Sequence, residues 1–179
     1  MVNTSGVDER RFNREYKELF PIIFRVALRV TGDCDAAEDL CHDAFIKYYQ
    51  RHEPLPDTDQ AKYWLIRVVK NMSLNYAKRK TRERKAIGKL QKIEPVFADS
   101  EEKRVLENET KKEVQDALDK LPYKLRAVLV FKEYGGLNYR DIGKLMGISE
   151  GNVKVRVFRA REQLGKILSR RRQNHVSEG

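Results

Sequence analysis

The stretch MGISEGNVKVRVFRAREQLGKILSRRR, from Met146 to Arg172, concentrates the side chains best suited to a specific chemistry without bond making. At about 100° per residue, Val157, Ala160, Leu164, Ile167 and Leu168 all lie within about 60° of Val153 and form with it a core-facing stripe. Gly151, Asn152, Lys154, Val155, Phe158 and Arg159 lie opposite. A valine and a phenylalanine among cations make a poor surface toward water and a good one toward a DNA major groove. There apolar groups meet thymine methyls, and Arg or Lys reaches guanine acceptors or phosphates. Arg156, at the border of the core stripe, can snorkel to a phosphate.

A second group lies in DQAKYWLIRVVKNMSLNYAKRKTRERK. Tyr63 or Trp64, Leu65, Val68, Val69, Met72 and Tyr76 form an expected buried stripe. Arg67, Lys70, Asn71, Asn75, Lys78 and Arg79 project around the remainder. Cations that hold phosphates, aromatics that stack bases and amides that read base edges suit a strand of nucleic acid. From Ala61 to Leu90 ten basic residues face one acidic residue, a net +9 that a merely solvated helix does not need.

A third group is acidic. In a helix through DAAEDLCHDAFIKYY, Ala37, Leu40, Cys41, Ala44, Phe45 and Tyr48 share one face, and Asp39, Asp43 and Ile46 share the other. On periodicity alone a solvated face with one stray apolar residue is the simpler reading, since scattered exposed apolar residues are normal. The alternative is a docking surface for a protein partner.

Other chemistries find little support. His42, His52 and His175 are scattered, and no nucleophile–base spacing, phosphate-cradling glycine loop or metal-ligand cluster occurs, so no catalytic residue, metal or cofactor is expected. Cys34 and Cys41 lack a CxxC spacing and read as partly buried thiols of a reducing compartment. The N-terminal MVNTSGVDERRF has no apolar core of a signal peptide. No run approaches the roughly 18 apolar residues of a membrane span, and a cytoplasmic location is expected. The net charge of +10 over 179 residues points to an anionic partner.

The elements that must position these groups are helical. Apolar residues recur at three and four almost throughout, and no alternating run bounded by hairpin turns appears. Phe12, Tyr16, Leu19, Phe20, Ile23, Val26, Ala27 and Val30 predict a helix that Pro21 breaks or kinks. Gly32 closes it, and Asp35 with Glu38 resembles a capping box for the next helix. Asn138 can cap a helix over Tyr139–Met146, Gly147 permits a left-handed turn and Ser149 caps the following helix, a helix-turn-helix pattern. Between Gln91 and Thr110 three basic residues face six acidic ones, with a proline and little periodicity. The expected fold is all-α, with two small helical domains joined by a flexible acidic linker. Their boundaries are 9–90 and 111–172, with the linker at 91–110 and a disordered tail at 173–179.

Three blocks in this order resemble the extracytoplasmic-function (ECF) sigma factors of bacterial RNA polymerase. DAAEDLCHDAFIKYY resembles the family's core-polymerase-binding segment, YWLIRVVKNMSLNYAKR its promoter-melting and minus-ten segment, and LPYKLRAVLVFKEYGGLNYRDIGKLMGISEGNVKVRVFRAREQL its minus-thirty-five domain. The resemblance implies a core-binding set of Asp35, Glu38, Asp39, Leu40, His42, Asp43 and Ile46, against the beta-prime clamp. It implies a minus-ten set of Asp57, Gln60, Lys62, Trp64, Arg67, Lys70, Asn71, Asn75, Lys78 and Arg79, with the loop HEPLPDTDQ helping to capture an extruded base. It implies a minus-thirty-five set of Tyr139, Arg140, Ser149, Glu150, Gly151, Asn152, Lys154, Val155, Arg156, Phe158 and Arg159. Core RNA polymerase (beta-prime clamp and beta flap), promoter DNA and an anti-sigma factor are the implied partners. Departures are His42 where Gln is usual, Asn152 where Thr is usual and Val155 where Ser is common. A two-domain helix-turn-helix regulator that binds an operator without polymerase is the alternative; it accounts for the second domain but not for the melting-type segment of the first.

Overall fold

Asp8 sets the start of the first helix, its carboxylate accepting the Arg10 amide at 3.3 Å. In this computed structural model, which describes residues 8–87 and 109–177, α1 then runs unbroken over Glu9–Thr31. Pro21 therefore does not end it. Pro21 is exposed, so the carbonyl one turn back that loses its amide partner faces water, which limits the cost of a proline inside a helix. Gly32 closes α1 in the left-handed region at φ 69°, its amide bonded to the Leu28 carbonyl at 2.8 Å.

The second helix, α2 (Cys34–Tyr49), is capped two residues earlier than the sequence suggested. Asp33 is the N-cap, in extended conformation, and its carboxylate accepts the Ala36 amide at 3.0 Å. Asp35 instead lies in the first turn, where a negative charge suits the helix dipole. The third helix, α3 (Thr58–Ile87), starts from Asp57, which accepts the Gln60 amide at 2.8 Å.

These three helices bury one shared core. Leu19, Ile23, Val26, Ala27 and Val30 of α1 meet Ala37, Cys41, Ala44, Phe45 and Tyr48 of α2 and Ala61, Leu65, Ile66 and Val69 of α3. Ile66 and Ser73 were not in the expected stripe of α3 yet are buried, whereas Val68, Met72 and Tyr76 are half-buried. An aromatic cluster closes one end: Tyr16 and Phe45 meet edge-on at 4.8 Å between ring centres, and Phe12 and Phe45 do so at 6.4 Å.

The second group comprises α4 (Glu109–Asp119), α5 (Tyr123–Glu133), α6 (Tyr139–Met146) and α7 (Glu150–Ser177). Five consecutive residues of α5, Ala127 to Phe131, are buried, so this helix is wrapped on all sides. Ile142 and Leu145 of α6 and Val153, Val157 and Ala160 of α7 complete the core. Of the expected linker, only Glu109 and Thr110 fall among the described residues, and both belong to α4. Of the expected tail, residues 173–177 fall among the described residues and continue α7 to Ser177.

The two groups touch along α1. Arg29, only 7% exposed, donates to the Gln115 side-chain oxygen at 3.0 Å and to the Lys111 carbonyl at 3.3 Å, and its guanidinium lies 5.3 Å from the centre of the Tyr134 ring. Among the described residues there is no strand, and no helix is long and apolar enough to cross a membrane.

Asp33 joins two helices as well as capping one, because its second oxygen accepts the Tyr76 hydroxyl of α3 at 2.7 Å and lies 3.8 Å from Lys80 Nζ. Burial acts to raise its pKa, but the Ala36 amide, the Tyr76 hydroxyl and Lys80 together outweigh it, and the net shift is downward from 3.8. Asp33→Ala should cost about 1–2 kcal/mol in chemical denaturation. The wild-type advantage over this variant should be full at neutral pH and fade as pH falls below 3.8 through the lowered folded-state value. A variant as stable as wild type at neutral pH would contradict this role.

Candidate functional site

The acidic helix presents one exposed strip. At about 100° per residue, Asp35, Glu38, Asp39, His42, Asp43 and Ile46 fall on the same side of α2. All six are exposed, Ile46 by 53%. Leu40 lies at the edge, half-buried. Glu38 and His42 approach to 3.6 Å, and the His42 ring lies 5.5 Å from Phe20 of α1. Beneath the strip Cys41 is fully buried, and burial, helped by the Glu38 charge, pushes its thiol up to about 12. A thiol so raised is a packing group and not a nucleophile.

The basic face belongs to α3. Gln60, Trp64, Arg67, Asn71, Asn75 and Lys78 share one side, with Lys70 at its margin. Gln60, Arg67, Asn71, Asn75 and Lys78 are exposed, while Trp64 and Lys70 are half-buried. Trp64 is already held on both sides, with the Arg51 guanidinium 4.9 Å from its ring centre and the Tyr48 ring at 5.8 Å. It forms a wall of this face more than a free stacking platform. Two expected members stand apart. Lys62 projects from the far side of α3 and pairs with Asp59 at 3.5 Å, and the Asp57 carboxylate is engaged in capping α3. Arg79 sits at the edge, paired with Glu83 at 3.7 Å.

The third face is built by a helix-turn-helix. Asn138 caps α6 by accepting the Asp141 amide at 2.8 Å, Gly147 closes it at φ 66°, and Ser149 caps α7 by accepting the Asn152 amide at 3.2 Å. The turn is tight: a Cβ on Gly143 would come within 2.8 Å of the Ile148 carbonyl oxygen, so the position needs glycine. Gly151, Asn152, Lys154, Val155, Phe158 and Arg159 are all exposed, with Val155 at 45% and Phe158 at 68%. Arg140 and Glu150 are exposed beside them, and Arg156 is half-buried at the border of the core. The half-buried Tyr139 ring lies between two ammonium groups, Lys132 at 4.8 Å and Lys154 at 5.8 Å, and Lys154 also pairs with Glu150 at 3.2 Å. The face thus carries apolar, amide and cationic groups together.

Sequence reasoning missed the polar supports of the first group. Arg11, Glu15 and Tyr48 form a hydrogen-bonded chain, with Glu15 only 2% exposed. The signal was present in the helical period, since Glu15 falls on the same face of α1 as the apolar Phe12, Tyr16 and Leu19.

Two family models match the two groups of helices: Sigma-70 region 2 over residues 16–83 and Sigma-70, region 4 over residues 111–164. The fold and its faces therefore define a sigma factor. Among curated relatives, the ECF RNA polymerase sigma factor SigL of Mycobacterium tuberculosis is 31% identical over 81% of this chain and 81% of its own. SigW of Bacillus subtilis is 29% identical over 82% of each chain. SigE of Mycolicibacterium smegmatis is 31% identical over 87% of this chain, which spans only 59% of that longer protein. The chain belongs to the ECF sigma factors of RNA polymerase. Its fold is shared with the sigma factor RpoE of Bartonella quintana, solved in complex with the anti-sigma factor NepR (TM-score 0.69, 23% identity, 89% of this chain and 98% of that one). It is shared also with CnrH, solved with the cytosolic domain of CnrY (TM-score 0.65, 20% identity, 90% of each).

The assignment of faces on α7 has a direct test. Val157 is 1% exposed, so Val157→Asp should leave a buried charge without a partner and abolish cooperative melting of the second group of helices. Phe158→Ser, on the exposed side, should leave the melting temperature within about 2 °C of wild type. Calorimetry distinguishes the two, and equal losses would mean that the helix is turned otherwise.

Proposed function

We propose that this protein binds core RNA polymerase and directs it to promoters by reading minus-thirty-five DNA with α7 and minus-ten DNA with α3. The observation that carries this reading is the co-occurrence in one chain of an acidic-apolar strip on α2, a basic-amide face on α3 and a helix-turn-helix on α6 and α7. A regulator acting from an operator has use for the third face only.

In this reading the α2 strip meets the basic surface of the beta-prime clamp, with Ile46 supplying the apolar centre and Asp39 and Asp43 the charge. Residues 111–172 serve as the minus-thirty-five domain, resting on the beta flap, and residues 9–90 as the core-binding and minus-ten domain. The α3 face holds the single strand of the opened duplex: Arg67, Lys70 and Lys78 meet phosphates, Asn71 and Asn75 meet base edges, and Trp64 backs the base pocket. Extruding a base costs a few kcal/mol of lost stacking, which the loop and this face must return by stacking and hydrogen bonds. Asn152, Val155, Phe158 and Arg159 read the minus-thirty-five element. The two solved neighbours, RpoE in complex with the anti-sigma factor NepR and CnrH with the cytosolic domain of CnrY, support an anti-sigma factor as a further partner. The role is one of recognition, with no bond-making step assigned to the chain.

Run-off transcription on promoter fragments should require both this protein and core polymerase, whereas an operator-binding regulator would bind its DNA equally well alone. Asp43→Arg should weaken capture of core polymerase at least tenfold without altering the melting temperature. Unchanged capture would return the α2 strip to solvent.

For α7, selection from randomised minus-thirty-five sequences should yield a different preferred site for Val155→Ser and for Arg159→Ala. A base contact discriminates by about 1–3 kcal/mol, whereas a phosphate contact weakens all sequences alike. Wild-type preference in both variants would remove base reading from this face.

A further inference from the structure

We propose that Arg11, a residue of α1, is a positioning residue for the loop 51–57 and through it sets minus-ten preference. This rests on the reading of that loop as the minus-ten side of the protein.

The loop contains Glu53-Pro54-Leu55-Pro56. Two prolines remove two amide donors and hold the residues before them extended, so this stretch has few ways to fix itself by local hydrogen bonds. Its carbonyls are the remaining handles, and two are taken. Arg51 donates from Nε to the Glu53 carbonyl at 3.2 Å while its guanidinium lies over Trp64. Arg11, 44 positions away in sequence, donates from Nη2 to the Leu55 carbonyl at 2.5 Å. Both gripped carbonyls belong to residues that precede a proline.

Arg11 is itself held. Its Nε donates to Glu15 at 3.1 Å, and the other oxygen of Glu15 accepts the Tyr48 hydroxyl at 2.6 Å. Glu15 and Tyr48 are buried, and the Tyr48 ring lies against Trp64. A relay of loop carbonyl, guanidinium, carboxylate and phenol thus runs from the surface into the core of the first group of helices. It returns to Trp64, on which the other grip rests.

Stability alone does not require such an arrangement. A buried ion pair can often be replaced by apolar side chains with little loss of stability. What an apolar replacement cannot supply is a donor aimed at the Leu55 carbonyl. The relay leaves His52, Glu53, Pro54 and Pro56 exposed on a loop of defined path, as a pocket for one extruded base demands.

The test uses holoenzyme assembled with core polymerase. The double variant Arg11→Met with Glu15→Gln removes the grip without stranding a buried charge, since Gln can still bond Tyr48. It should flatten minus-ten base preference by about tenfold in selection from randomised minus-ten sequences and slow open-complex formation similarly, the scale of one lost hydrogen bond to a charged group. Core affinity and minus-thirty-five preference should stay at wild-type values. Arg11→Lys, which keeps the charge beside Glu15 but lacks the fork that serves both partners, should fall between and stands in if the double variant does not fold. Replacing His52 and Glu53 by alanine tests the underlying reading. If that change leaves minus-ten preference intact, the loop is not the minus-ten side and both ideas fall. If it shifts preference while both Arg11 variants behave as wild type, the positioning role alone is overturned.

Discussion

Burial of the apolar stripe of α1 is the interaction on which the other elements depend. Leu19, Ile23, Val26 and Ala27 are at most 1% exposed, and α1 meets α2, α3, α4 and α5 in turn. Burial of Leu19, Ile23 and Val26 contributes about 1.5–3 kcal/mol for each side chain taken from water, enough to fix one face of the helix inward. With that face fixed, the placement of the neighbouring helices follows. The α2 helix must give its Ala37–Cys41–Ala44–Phe45–Tyr48 side to α1, and its acidic strip is left outward. The α3 helix must give its Leu65–Ile66–Val69 side, and its cations and amides are left outward. The outward faces to which the proposed function assigns partners are the complement of the core.

That division explains why the exposed apolar residues are informative. Ile46, Val155 and Phe158 are large apolar side chains left exposed, by 53%, 45% and 68%, outside the buried cores. Val155 and Phe158 lie together on one side of α7, and exposed apolar residues that cluster are more informative than single scattered ones. Charges around these residues supply attraction at a distance, and apolar groups supply contact once water is expelled.

Much of this was legible in the sequence, and the reasons vary by residue. The caps at Asn138, Gly147 and Ser149 could be read because each depends on a side chain within three positions of the backbone it serves. The faces of α2 and α7 could be read because period alone decides them. The choice between Asp33 and Asp35 as cap could not, since both are carboxylates near the same glycine and only the extended backbone at Asp33 separates them. Pro21 does not break α1, because its effect turns on whether the lost hydrogen bond faces water. The burial of Glu15 and Arg29 depends on partners 33 and 86 positions away, a distance at which no local pattern speaks. The sets implied for polymerase and DNA came from the order of three motifs, which does not fix the side of a helix that each member occupies: Lys62 lies on the side of α3 away from Arg67, Asn71 and Lys78.

The seam at Arg29 has a consequence for how the protein responds to its medium. The charge there is held by a carbonyl, an amide oxygen and an aromatic ring, none of which carries a net charge, and its Nε is buried without a hydrogen-bond partner. Mobile ions screen pairs of opposite charges in water and have little purchase on a buried cation among dipoles. In the proposed reading the outward cations of α3 and α7 would behave oppositely, because a contact with phosphate displaces counterions and weakens steeply as salt rises. In that reading, ionic strength loosens the grip of this molecule on nucleic acid while leaving the joint between its two halves as tight as before.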